Sequence, residues 1–253
     1  MAKIVSVHSF RGGTGKSNIT ANLAAMLAAE GKRVGVIDTD ILSPGIHVLF
    51  GFNEDNIKYA LNDYLWGRCK IEETAYKVEK GGDIWLIPSS IKIGEITRIL
   101  REGYDSALLN RGFEHLIEEL SLDFLLIDTH PGVNEETLLS IAFADMLIII
   151  LRPDQQDYLG TGVTVKVARK LEVPELLMIA NKVPASINAV ELAGKLSNTY
   201  QAEVASVLQH ADEMMTLGSA GLFTLEFPQH SLTDEFKRIT DRILEHGSVH
   251  ISI

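Results

Sequence analysis

One short stretch near the start of the chain restricts its fold more than any other. Ile4-Val5-Ser6-Val7 has the make-up of a buried strand, and the turn Arg11-Gly12-Gly13-Thr14-Gly15 follows. Lys16-Ser17 then opens a helical stretch that Gly31 stops. Glycines let backbone N–H groups close around anionic oxygens with no Cβ in the way. The N-terminus of the helix adds the positive end of its dipole. Gly12, Gly13, Thr14 and Gly15 therefore read as a phosphate cradle, with Asn18 in the first turn of the helix. Lys16 is placed to reach the β- and γ-phosphates of a nucleotide, and Ser17 to offer a hydroxyl to Mg²⁺. A glycine-rich surface turn that merely precedes a helix is the plain alternative. The strand–turn–helix context speaks against it.

The rest of the chain repeats this alternation. Short apolar runs predict strands at 3–8, 33–37, 84–88, 124–127, 146–151, 176–180 and 203–207. Longer patterned stretches predict helices at 16–30, 93–102, 106–120, 135–143, 159–171, 190–200 and 232–245. Several strands are continuous apolar runs, as strands buried on both faces should be. The expected fold is α/β: a mostly parallel, doubly wound sheet with helices on both faces. No Pro/Gly/Ser-rich linker divides the 253 residues, so residues 1–253 read as one domain. The least regular part is an excursion at about 45–82, with a possible helix at 57–66 and an edge strand at 75–78. A short tail, 247–253, alternates Val and Ile; an added edge strand and a frayed end are both open.

Composition excludes several classes of function. The net charge of -11 and the scattering of Lys and Arg argue against sequence-blind DNA binding. The longest apolar run, Met146–Leu151, is far too short to span a bilayer, and the first residues carry no signal-peptide pattern. Cys69 is the only cysteine, which rules out an internal disulfide and a cysteine-built cluster within one chain. The expected compartment is the cytoplasm.

Two further segments carry chemistry. Val36-Ile37-Asp38-Thr39-Asp40 puts two carboxylates at the carboxyl edge of the sheet, where ligands bind in such folds. Leu125-Leu126-Ile127-Asp128 is an apolar strand ending in Asp, and that carboxylate is placed to hold Mg²⁺ through water. His130-Pro131-Gly132 then forms a turn in which His130 senses the γ-phosphate, acts in proton transfer or is a solvated loop residue.

The spelling of the first motif is unusual. The common form opens on glycine where this chain has Phe10, and what matches instead is Lys-Gly-Gly-x-Gly-Lys-Ser/Thr with Arg11 leading. In this the chain resembles the MinD/ParA family of dimeric P-loop ATPases, a group that includes the nitrogenase iron protein and the ArsA-type ATPases. The resemblance runs from Lys3 to about Leu244. It implies ATP/ADP and Mg²⁺ as ligands, and a homodimer formed around nucleotide. Arg11 would stand for the signature lysine that reaches the partner's phosphates; contact with its own phosphates or with a surface carboxylate is the other reading. Arginine keeps the charge but not the reach or geometry of lysine. The resemblance makes Asp40 the residue that positions the attacking water. Asp38 would help hold Mg²⁺ or the loop, or would cap the next turn. Family members usually read Asp-x-Pro-x-Gly after the second acidic strand, and this chain places His130 before Pro131. Asn181, in Ile179-Ala180-Asn181-Lys182, would pair with adenine through its amide, with 208–212 on the other side of the base.

The expected catalytic set is thus Lys16, Asp40 and Arg11. The nucleotide contacts are Gly12 to Asn18 and Asn181, and the metal set is Ser17, Asp128 and Asp38. The expected function is an ATPase switch that positions or partitions a cargo through an adaptor or activating protein. A P-loop transferase or ligase and a weakly hydrolysing scaffold are the alternatives. Leu232, Phe236, Ile239 and Ile243 form a stripe that fits a core helix better than a membrane-surface helix.

Overall fold

The computed structural model describes residues 2–246. β1 (Lys3–His8) leads through the glycine turn into α1 (Lys16–Ala29), and β2 (Val34–Asp38) follows. The excursion holds α2 (Ile46–Leu49), α3 (Leu61–Leu65) and β3 (Tyr76–Lys77) before β4 (Ile84–Ile87) rejoins the sheet. Then come α4 (Ile93–Glu102), α5 (Ser106–Glu119), β5 (Phe124–Asp128), α6 (Glu135–Ala142) and β6 (Met146–Leu151). The chain continues through α7 (Gln155–Lys170), β7 (Glu175–Val183), α8 (Ala189–Tyr200) and β8 (Glu203–Gln209). It closes with α9 (Asp212–Leu217), α10 (Phe223–Glu226) and α11 (Ser231–His246).

The eight strands form one sheet in the order β3-β4-β2-β5-β1-β6-β7-β8, parallel throughout except for β3 at the edge. The apolar runs explain why it is covered on both sides. In β5, Phe124 and Leu126 join the core under α1 and α11, while Leu125 and Ile127 join the core under α5. In β6, Ile148 and Ile150 face the first core, and Leu147 and Ile149 pack with α7 and α8. Phe236, Ile239 and Ile243 of α11 are fully buried, so this stripe is a core seam. No helix among the described residues is long and apolar enough to cross a membrane.

Three expectations need correction. The helix expected at 57–66 shrinks to α3. The Asp63 carboxylate accepts the Ala60 N–H at 2.9 Å and starts the helix late, and Gly67 ends it with φ 69°. The helix expected at 159–171 begins at Gln155, because Asp154 caps it by accepting the N–H groups of Gln156 and Asp157. Its first turn is polar, so apolar periodicity could not reveal it. The strand expected at 176–180 runs on to Val183, which pairs with Gln209 after an irregularity where Lys182 takes φ 55°. The tail 247–253 lies outside the described residues.

Candidate functional site

β1, β2 and β5 are neighbours whose ends meet at one edge of the sheet. Val7 and Asp38 both pair with Asp128. The glycine turn folds over that edge, with Gly13 and Gly15 at φ 77° and 94°, where a side chain would be strained. A Cβ on Gly15 would also stand 2.5 Å from Nδ2 of Asn181. That amide donates to the Thr14 carbonyl at 2.7 Å, and Lys182 Nζ donates to the Gly13 carbonyl at 2.8 Å. β7 therefore braces the turn from the side. No side chain caps α1, so its first-turn N–H groups remain available to an anion. Thr14 Oγ1 and Asn18 Oδ1 are buried without a protein partner, as atoms of a ligand cradle would be.

Beneath the turn, buried charge collects. Lys16 Nζ meets Asp128 Oδ1 at 2.5 Å, with side chains 7% and 1% exposed. Thr20 Oγ1 lies 3.4 Å from the same oxygen. Asp38 is fully buried beside Asp128, and its carboxyl is pushed up to about 8, by burial first and then by the Asp128 charge. Its two oxygens accept the backbone N–H groups of Asp40 and Gly45, at 3.0 and 3.1 Å, and so shape the loop after β2. Two acidic side chains on adjacent strand ends, below the first turn of α1 that carries Ser17, suit a hard divalent cation that keeps most of its water. On the next strand, burial drives His8 down to about 3, and its Nδ1 contacts Thr129 Oγ1 at 2.9 Å.

Above this layer, Asp40 and His130 meet, Oδ1 to Nδ1, at 2.6 Å. Arg11 turns to the start of α7, with Nη1 3.4 Å from Asp157 and 3.5 Å from Asp154. Asp157 is buried and is held by Arg152 as well, at 3.0 Å. Phe10, the residue in place of the usual glycine, lies against Gly160 of α7 so closely that no Cβ would fit there.

A cleft of about 260 Å³ opens beside the cradle. Asn18 and Asn181 line it with Gln209, His210, Met214 and Met215. The expected border at 208–212 is thus part of a larger wall, to which α9 adds two soft methionines. Sequence reasoning missed Lys182, Thr20, Asp157 and the methionines. Lys182 stands beside Asn181 in its motif and Thr20 one turn after Lys16, yet the partners of all of them are set by strand pairing and helix packing, which no local pattern shows. It left the role of His130 open and did not foresee the contact with Asp40, whose signal was the histidine out of pattern before Pro131.

The chain is similar to known proteins in sequence and in fold. Residues 2–176 match a family described as an AAA domain. An uncharacterised ATP-binding protein of Methanocaldococcus jannaschii is 30% identical over 199 residues, covering 79% of this chain and 70% of that protein. An iron–sulfur cluster carrier protein of Pyrococcus abyssi is 28% identical over 194 residues, 70% of this chain and 60% of that one. Among solved structures, the septum site-determining protein MinD of Pyrococcus horikoshii, complexed with Mg-ADP, superposes with a TM-score of 0.83. It does so at 19% identity over the full length of both chains, which establishes the shared fold.

Proposed function

The chain belongs to the MinD/ParA family of P-loop ATPases, and from that premise we propose that it is a switch that binds ATP and Mg²⁺, pairs with a second copy, and hydrolyses ATP to ADP and phosphate. One observation carries the reading. Lys16 stands at the uncapped start of α1, over the buried acidic side chains Asp38 and Asp128, beneath a turn in which Gly13 and Gly15 take positive φ. Such a site calls for phosphate above and a cation beside it. When bound, Mg²⁺ would neutralise charge developing on the β- and γ-phosphate oxygens. Ser17 and, through water, Asp128 would hold it.

The chain's own residues do the rest. Lys16 leaves Asp128 for the phosphates, and the N–H groups of residues 13–18 cradle them. Asn181 already spends its Nδ2 on Thr14, so its Oδ1 remains to accept from an adenine amino group. Asp40 orients the attacking water by accepting a hydrogen bond from it. Arg11 rests on Asp154 and Asp157 in the single chain and is exchanged onto the partner subunit's phosphates when two copies meet. Positioning and charge supply most of the acceleration.

The readout is an adaptor that recognises the dimer, and the role is to position or partition a cargo. Carriage of an iron–sulfur cluster fits poorly. Cys69 is the only cysteine, lies half-buried outside the nucleotide edge, and has its thiol pushed up to about 11 by burial and neighbouring carboxylates. The test is Asp40→Ala, followed by sizing with ATP and by phosphate release. The variant should bind ATP, hydrolyse it poorly and accumulate as dimer. A variant that stays monomeric with ATP, or turns over at the wild-type rate, removes Asp40 from the reading.

A further inference from the structure

We propose that His130 is a positioning residue for hydrolysis, acting through Asp40; the inference rests on the ATPase reading above. Asp38 and Asp128 are paired across adjacent parallel strands. Asp40 and His130 each lie two residues further on, so both chains leave the sheet at the same height and the two side chains converge. The contact follows from register, and its length, 2.6 Å between His130 Nδ1 and Asp40 Oδ1, is that of a charge-assisted hydrogen bond.

The chemistry fixes its direction. An ionised carboxylate only accepts, so His130 Nδ1 carries the hydrogen and donates. The Ser43 N–H donates to the same oxygen at 3.1 Å. Both bonds therefore fall on Oδ1, and Oδ2 has no partner among the described residues. A carboxylate pinned by one oxygen presents the other in a fixed place, which is what orienting a water requires. The histidine is itself held. Its carbonyl accepts from Thr137 Oγ1 at 3.2 Å, and Thr137 is buried at the start of α6. Asp40 stands in the loop after β2 between the buried Thr39 and Ile41, and among the described residues no other side chain bonds its carboxylate.

In the step, the oriented water adds to the γ-phosphorus and the bond from that phosphorus to the β,γ-bridging oxygen breaks. The electron pair leaves with ADP, and both water hydrogens end on inorganic phosphate. His130 takes no proton in this account. It sets the geometry of the group that holds the water.

The experiment is single-turnover hydrolysis with protein in excess over labelled ATP and Mg²⁺, beside equilibrium binding of a non-hydrolysable ATP analogue. His130→Ala should lower the rate constant by about ten- to hundredfold, the worth of one hydrogen bond to a charged group, with analogue affinity unchanged. His130→Asn places an amide N–H where Nδ1 stood and should recover most of the rate. His130→Phe, which keeps bulk without a donor, should behave as the alanine variant does. A His130→Ala protein as fast as wild type, or faster, beside an inactive Asp40→Asn, overturns the inference and leaves the ATPase reading standing. Equal losses in His130→Asn and His130→Ala overturn it too, since a merely structural loop residue would give them. Absence of turnover in the wild-type protein overturns the ATPase reading and the inference together.

Discussion

Gly160 and Phe10 form an interlock whose energetics change sign with its partner. Gly160 lies inside α7, where alanine is ordinarily preferred by about 0.5–1 kcal/mol. A Cβ there would stand 2.7 Å from Phe10 Cβ and closer still to the ring. Real Cβ atoms do not approach so near, so either the ring leaves or the loop that carries it moves. Overpacking of this kind costs about 1–3 kcal/mol, and the helix preference offsets part of it. Gly160→Ala should therefore destabilise by roughly 1–2 kcal/mol. For a chain of this size that lowers Tm by about 2–8 °C. Phe10 immediately precedes Arg11, so the displacement reaches the cradle and ATP affinity should fall as well. In a Phe10→Gly background the ring and the Phe10 Cβ are both gone. Gly160→Ala should then raise stability by about 0.5–1 kcal/mol. Calorimetry on the four proteins of the cycle, with titration of a fluorescent ATP analogue, measures both effects. A Gly160→Ala change of the same sign in both backgrounds refutes the interlock.

Other outcomes follow from the same geometry. Lys16→Ala should abolish ATP binding, since it removes the main positive charge on the β- and γ-phosphates; near wild-type affinity for labelled ATP contradicts the site. Arg11→Ala should keep nucleotide affinity but lose ATP-dependent dimerisation, and mixing it with Lys16→Ala should restore activity through dimers that hold one complete site; inactive mixtures with mixed dimers present reject action across subunits. His8 ionises in the folded chain only near pH 3, against about 6.5 when unfolded, so the unfolded chain binds the extra proton between those values. Its contribution is whole above pH 6.5 and is lost as pH falls toward 3. The stability gap between wild type and His8→Asn should shift against wild type by up to about 1.4 kcal/mol per pH unit in that window, and a gap constant with pH contradicts a buried neutral His8.

The sequence by itself determined the cradle, the acidic strand ends and the layered α/β class. Each of these is a local matter: glycines where φ must be positive, an apolar run closed by Asp, a lysine opening a helix. Element types followed from periodicity, and errors fell where periodicity was silent, as at the polar first turn of α7 and the short α2, α9 and α10. Only the tertiary structure decided who meets whom. Strand order placed β2 and β5 side by side, and their register brought Asp40 to His130. The bulged end of β7 turned Asn181 and Lys182 back onto the carbonyls of Thr14 and Gly13, 167 and 169 residues away in the chain. The packing of α7 gave Arg11 its resting carboxylates and Phe10 its glycine. Contacts over such separations depend on how layers stack and on which residue faces which, and a one-dimensional pattern holds neither until the chain has folded.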